Sequence, residues 1–222
     1  MEKLVNSIKN NLKGSKNLYM KKYNFSNEWT NELESIKQWQ FYWQQQKLME
    51  GNIDPNEKIL EIGVGSGFTA NYLKSKGYHV ETVDIDAAKK PDFIMNIADA
   101  DPTFFDYDVI LAYNVFEHIP FDDFLKVMND FNRSRVSKLF IGLPMFKKII
   151  IEINFILPYL NPVHIKVFKS RRKLSTNHHH WELGYKSFNL KTLEKELNLR
   201  KFYLIEKKRY LHQQYLYFKK YI

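Results

Sequence analysis

A glycine-rich bend set between a strand-like run and a helix-like run constrains this chain more than any other feature. Lys58-Ile59-Leu60-Glu61-Ile62 is short and apolar, and it leads directly into Gly63-Val64-Gly65-Ser66-Gly67. Helical spacing through Phe68, Ala70, Tyr72 and Leu73 follows as far as Lys76, and Gly77 closes it. Glycines at such a turn let the backbone bend sharply and let a ligand approach the main chain with no Cβ in the way. The alternation continues downstream. Residues 78–83 read as a strand ending at Asp84, and residues 93–95, 108–113 and 138–142 as three more. Residues 121–131 read as a helix with Phe121, Phe124, Leu125, Met128 and Phe131 on one face. Strands alternating with helices specify a parallel sheet covered on both faces, and right-handed crossovers make it doubly wound.

The last part of the chain breaks that pattern. After a helix over residues 190–197, strand-like runs at 200–206 and 214–219 are joined by about seven residues, whereas a helical crossover needs a dozen or more. These two strands are therefore antiparallel. The expected fold is α/β, with a doubly wound, mostly parallel seven-stranded sheet and an antiparallel last strand. Two segments stand outside this core. Residues 27–50 carry Trp29, Leu33, Ile36, Trp39 or Gln40, and Trp43 at helical spacing, with Ser26 or Asn27 as N-cap and Gly51 as the stop. A packing helix or a lid is expected there, and an aromatic stripe at this spacing favours packing. Residues 145–185 read as an insertion. The organisation is thus a helical cap, residues 1–50, and one domain, residues 51–222. The apolar stretch 149–157 within the insertion is expected to be a helix covering an acceptor pocket, with contact to lipid or to a dimer partner as alternatives.

Charge suggests a partner. The net charge is +9, but residues 51–144 hold 9 basic and 15 acidic side chains while residues 145–222 hold 17 and 5. The basic last third, with Lys169, Arg171, Arg172 and Lys173, suits an anionic partner: a phosphorylated or lipid-linked acceptor, RNA, or a membrane surface in peripheral contact. The chain has no cysteine, which excludes a disulfide framework, a cysteine nucleophile and a thiolate metal site. No run reaches the roughly 18 apolar residues of a spanning helix, and the Lys- and Asn-rich start lacks an apolar signal core, so a cytoplasmic setting is expected.

The bend is neither of the two common phosphate loops. Its third glycine comes one residue earlier than in G-x-G-x-x-G, and no Gly-Lys-Ser/Thr follows. Glu61, at the strand end, would repel a pyrophosphate and attract a cation. Asp84 stands at a separation from which a carboxylate can accept from both hydroxyls of a ribose. Together they describe a site for a nucleoside that carries a cationic group.

These residues carry a resemblance. Glu61-Ile62-Gly63-Val64-Gly65-Ser66-Gly67, Val83-Asp84-Ile85-Asp86 and Asp108-Val109-Ile110-Leu111-Ala112-Tyr113-Asn114-Val115-Phe116-Glu117-His118-Ile119 resemble the successive motifs of class I S-adenosylmethionine-dependent methyltransferases, over roughly residues 56–144. The resemblance implies a Rossmann-like methyltransferase fold, its last strand tucked in reverse between two neighbours, and S-adenosylmethionine as cofactor. It implies that Gly63, Gly65 and Gly67 approach the methionine part and that Glu61 helps to position the amino end. It places Asp84 on the ribose with Asp86 as runner-up, Ile85 against the adenine, and Asn114 beneath the transferring methyl. After the third strand the family has an Asp that accepts from the adenine amino group; here Asn96 lies nearest that place, with Asp99 three residues on. The stretch His179-His180-Trp181-Glu182-Leu183-Gly184-Tyr185-Lys186 looks like a segment of small bacterial methyltransferase-domain proteins, some linked to surface-sugar pathways.

The acceptor side is less constrained. His118 is the candidate general base for a hydroxyl acceptor, with anchoring of the next helix as its structural alternative. His179, His180 and Trp181 are placed at the acceptor pocket. A few methyltransferases of the family this chain resembles hold a divalent ion with a Glu-x-x-Glu-His cluster, to which His178, His179 or His180 could add a ligand; here the first Glu position is Asn114, and adjacent histidines in a loop point different ways, so no metal ion is expected. The expected function is methyl transfer from S-adenosylmethionine to a small or lipid-linked anionic acceptor at oxygen, of the surface-glycan type. The alternatives are an RNA methyltransferase and a non-catalytic cofactor-binding scaffold. Asp84→Ala is expected to weaken cofactor binding with little loss of stability. The sequence indicates no particular oligomeric state.

Overall fold

The structure is a computed structural model that describes residues 35–145, 148–155, 163–169, 173–186 and 188–221. In chain order its main elements are α1 (Ile36–Met49), β1 (Lys58–Ile62), α2 (Phe68–Ser75), β2 (His79–Asp84), β3 (Phe93–Ile94), β4 (Val109–Tyr113) and α3 (Phe121–Arg133). Then come β5 (Lys138–Pro144), β6 (Lys148–Phe155), β7 (Val163–Lys169), α4 (Leu190–Asn198), β8 (Phe202–Tyr210) and β9 (Gln213–Lys220). The main sheet has seven strands in the order β3-β2-β1-β4-β5-β9-β8. The first five are mutually parallel; β9 runs antiparallel to both β5 and β8, between which it lies.

Strand alternation builds a core on each face of this sheet. Leu60, Ile62, Ile110, Ala112, Leu139 and Ile141 face one side, under Phe124, Met128 and Phe131 of α3 and Leu193 and Leu197 of α4. Their immediate neighbours Ile59, Val109, Leu111 and Phe140 face the other, with Leu48 and Met49 of α1 and Ala70 and Leu73 of α2. A strand buried on both faces reads as a continuous apolar run, which is what these segments show. Burying each large side chain contributes about 1.5–3 kcal/mol. Helix α3 is anchored at its C-terminal end by Lys220 of β9, whose Nζ donates to the carbonyls of Phe131, Asn132 and Ser134 at 3.3, 3.3 and 2.7 Å.

Three expectations are corrected. The apolar stretch 149–157 is not a helix: residues up to Phe155 form β6, which pairs antiparallel with β7 in a separate two-stranded sheet. Its Ile and Phe residues are β-branched or aromatic, and strand pairing outweighs the helical reading. The final two strands are joined not by seven residues but by Leu211 and His212, with Leu211 in the left-handed region at φ 50°. The pairing is unchanged, because a two-residue turn also forces antiparallel strands.

The third correction concerns α1. Its stop at Gly51, φ 72°, is as expected. The N-cap is Ser35, whose Oγ accepts from the Gln38 amide at 3.3 Å; Ser26, Asn27, Trp29 and Leu33 lie outside the described residues. The aromatic stripe does not face the core. Ile36, Trp39 and Trp43 are exposed (81%, 52% and 58%), whereas Phe41, Gln45, Leu48 and Met49 are buried. In the basic run, Lys169 ends β7, while Arg171 and Arg172 lie outside the described residues.

Candidate functional site

The C-terminal ends of β1, β2 and β4 open into one cavity of about 450 Å³, roofed by α1. This is where doubly wound sheets hold ligands, since adjacent crossovers diverge there. The three glycines of the bend all have positive φ: 80° at Gly63, 56° at Gly65 and 76° at Gly67. They do different work. A Cβ on Gly63 would stand 2.4 Å from Val115 Cγ2, so this glycine lets the β4 loop close on the bend. A Cβ on Gly65 would meet nothing within 4 Å, so this residue keeps a bare main-chain face toward the cavity. Gly67 is the N-cap position of α2 and, unlike Gly63 and Gly65, does not line the cavity.

Asp84 ties the bend to β2. Its Oδ2 accepts from the Val64 amide at 2.8 Å and its Oδ1 from the Asp86 amide at 2.9 Å. Burial raises its pKa against the opposing pull of those two amides. The carboxylate thus shapes the loop as well as facing the cavity, and Asp84→Ala cannot be structurally silent. Ile85 and Asp86 also line the cavity. Of the two adenine candidates, Asn96 lines the cavity and Asp99 does not. The Asn96 side-chain oxygen already accepts from the Ala98 amide at 3.1 Å, leaving one lone pair for a ligand. Asn114 lines the cavity in the left-handed region, φ 58°, a conformation that asparagine tolerates better than most residues.

Glu61 is 4% exposed, and its Oε2 has no hydrogen-bond partner. Burial pushes its pKa up to about 8, although the Ala70 backbone amide, at the start of α2, opposes the shift. Tyr113 Oη, Glu117 Oε2 and Gln213 Oε1 are likewise buried without a partner, and all four residues line this cavity. Buried polar atoms normally find partners, so this concentration marks a place where a polar ligand belongs.

The far end of the cavity gathers the 3₁₀ turn Phe116–His118 and the histidine segment. His118 Nδ1 lies 3.3 Å from the His178 carbonyl oxygen, and its ring meets that of His179 edge-on at 4.8 Å. His179 Nδ1 is 2.6 Å from Glu182 Oε1, which also accepts from the Ser175 amide at 2.7 Å and from the Ser175 hydroxyl. Burial would raise the Glu182 pKa, but the hydrogen bonds from His179 and Ser175 outweigh it and hold the carboxyl below its ordinary value. Burial raises Glu117 to about 8 and lowers His118 to about 4. His118 is therefore neutral at physiological pH. One side-chain ligand atom from each of Glu117, His118 and His179 lies within 4.8 Å of the others.

Trp181 and His180 stand apart. Trp181 is 4% exposed, donates from Nε1 to the Ile119 carbonyl at 3.1 Å and packs with Phe121, Phe124 and Phe188. It belongs to the core. His180 does not line the cavity, but its amide donates to the Glu117 carbonyl at 2.8 Å and fastens the two segments together.

Sequence reasoning missed the face that α1 offers. Gln38, Phe41, Tyr42 and Gln45 line the cavity, and Tyr42 Oη is 2.6 Å from Ser66 Oγ on the bend. Their spacing of three, four and seven is itself a helical stripe, but the brighter tryptophan stripe masked it.

A bare glycine bend beside a carboxylate, at the rim of a seven-stranded sheet whose β9 is reversed, defines a Rossmann-like domain of the methyltransferase kind. The chain is similar to methyltransferases over a little under half its length: residues 32–135 match the family model described as a methyltransferase domain. No curated protein sequence matches it. Among solved structures, an S-adenosylmethionine-dependent methyltransferase from Clostridium acetobutylicum is similar at 10% identity and TM-score 0.57, covering 87% of this chain and 98% of the other. A magnesium protoporphyrin IX methyltransferase from Synechocystis is similar at 11% and 0.55, covering 100% of both chains. A 1,6-didemethyltoxoflavin-N1-methyltransferase from Burkholderia thailandensis is similar at 13% and 0.54, covering 80% and 76%. At these identities the likeness is one of fold.

Proposed function

We propose that the chain transfers a methyl group from S-adenosylmethionine to an oxygen of a small acceptor. The observation that carries this reading is the convergence of four unpartnered buried polar atoms, a bare glycine face and the Asp84 carboxylate on one cavity. The residues present fit the cofactor. Glu61 offers an unmatched carboxylate oxygen to an ammonium, Gly65 gives main-chain access, Asp84 faces the ribose, and Ile85 and Asn96 flank the adenine place. When bound, the cofactor supplies a methyl group on positively charged sulfur, an electrophile that needs alignment rather than activation. The chain's own task is to aim the acceptor in line and exclude water. Helix α1 supports the second task, since Tyr42 reaches the bend and closes the roof.

The acceptor place is the end lined by Asn114, Glu117, His118 and His179. A small acceptor is supported over RNA by charge: Lys89 is the only lysine or arginine among the described residues lining the cavity. The lipid-linked reading drew on the apolar stretch 149–157 beside the basic run; residues 149–155 of that stretch lie in β6, paired with β7. No helix among the described residues is long and apolar enough to cross a membrane.

Calorimetric titration with S-adenosylmethionine and with NAD tests the cofactor. Micromolar binding of the sulfonium and none of NAD is expected; the reverse overturns the reading. Asp84→Ala should weaken cofactor binding at least tenfold and, because two loop amides lose their acceptor, cost about 1–3 kcal/mol in urea unfolding. Transfer of tritiated methyl to a fraction of cell extract distinguishes an enzyme from a cofactor-binding scaffold.

A further inference from the structure

We infer that Glu117, His118 and His179 form a site for one divalent first-row transition ion at the acceptor end of the cavity. One ligand atom from each lies within 4.8 Å of the others. Glu117 is 1% exposed, and its Oε2 has no hydrogen-bond partner although it borders the cavity. A buried carboxylate oxygen without a donor is costly unless a ligand completes it.

The second layer points the same way. Histidines that bind a metal usually give their other ring nitrogen to a carboxylate or a backbone carbonyl, which fixes the tautomer and the ring plane. Here His179 Nδ1 sits 2.6 Å from Glu182 Oε1, and His118 Nδ1 sits 3.3 Å from the His178 carbonyl oxygen. Glu182 is itself 2% exposed and held by Ser175, so His179 is braced from behind. The ligands come from two segments about sixty residues apart, and the His180 amide bond to the Glu117 carbonyl, 2.8 Å, fixes one segment to the other. That neighbouring histidines diverge is still true: of His178, His179 and His180, only His179 joins the cluster.

The donor set names the class of ion. Two imidazole nitrogens and one carboxylate oxygen suit zinc, cobalt, manganese or iron(II), whereas magnesium and calcium prefer all-oxygen sites. Three protein ligands leave a coordination position open, as in sites that bind a substrate oxygen. An acceptor hydroxyl in that position would lose its proton to solvent more readily. Its oxygen would then bond to the methyl carbon as the carbon–sulfur bond breaks, the electron pair staying on sulfur as a neutral thioether. This last step rests on the methyl-transfer reading; the ion site does not.

The test uses the full chain, stripped by dialysis against a chelator. Cobalt(II) is titrated by its visible absorption and zinc(II) by calorimetry. One equivalent of each is expected, zinc displacing cobalt, with no comparable binding of magnesium or calcium. Glu117→Gln and His179→Ala should each weaken binding at least tenfold, and Glu182→Gln, which reaches no ion, by roughly ten- to a hundredfold. Far-UV circular dichroism confirms that each variant folds, and His118→Gln replaces any that does not. Absence of stoichiometric zinc and cobalt binding overturns the inference, as does binding that these variants leave unchanged. Zinc binding without S-adenosylmethionine binding keeps the ion site and ends the methyl-transfer reading; the opposite result does the reverse.

Discussion

Glu61 stands in tension between folding and binding. Its carboxyl is buried without a full set of donors, which lifts its pKa from the ordinary 4.5 to about 8. The sign follows directly. A carboxyl whose folded pKa is raised favours the native state in its neutral form, so that contribution is complete below about pH 4.5 and is lost as pH rises through 8. Glu61→Gln should therefore match the parent near pH 5 in urea unfolding. At pH 9 it should exceed it by something on the order of 2–4 kcal/mol, while binding S-adenosylmethionine at least tenfold more weakly. Two glycines of the bend separate in the same manner. Gly63→Ala drives a Cβ to 2.4 Å from Val115 Cγ2 in a positive-φ conformation, and should cost about 2–4 kcal/mol of stability. Gly65→Ala meets open space, so it should cost about 1 kcal/mol or so and act mainly on cofactor affinity, read by calorimetry. The sequence shows three equivalent glycines; only the neighbours brought in by folding tell them apart.

Among the elements, β1, β4 and β5 were legible because a strand buried on both faces leaves a long apolar run with sharp borders. Helix α1 was legible as a helix but not in its orientation. Trp39 and Trp43 outweigh Gln38 and Gln45 on any apolarity scale, yet the glutamines face the cavity and the tryptophans face out. A cavity wall needs polar atoms, which periodicity arguments count as surface. The 149–157 segment was misread because a short apolar run has no period that separates helix from strand. Helix α3 shows an element stabilised from a distance. Lys220 donates to three carbonyls at its C-terminal end, where a cation meets the helix dipole. Lys220→Met should lower stability by about 1–2 kcal/mol in chemical denaturation, with the cofactor affinity unchanged. Helix α1 should respond to cofactor instead. At a ligand concentration a hundred times Kd the fold gains about 2.7 kcal/mol, and amide exchange across residues 36–49 should slow with it.

For the whole molecule, the alternation of strands and helices and the antiparallel final pair could be read from residues adjacent in sequence. The acceptor end could not. Its cluster joins Glu117 and His118 to His179 across an insertion whose course is set by tertiary contacts, and Trp181, from the same run, goes to the core through a bond to Ile119. Chain proximity puts the four residues His178 to Trp181 in one place; the fold sends them to at least two.

The position of β9 has a further consequence for how this sheet is completed. Strand β5 is finished at Pro144, but the neighbour on its free side begins only at Gln213. While the intervening chain is being synthesised, a nearly continuous apolar strand presents unsatisfied amides and carbonyls to whatever extended peptide is at hand. A chain halted anywhere between these two points should be driven into aggregates even though most of its core residues are present. The final wedge is thus what covers that border.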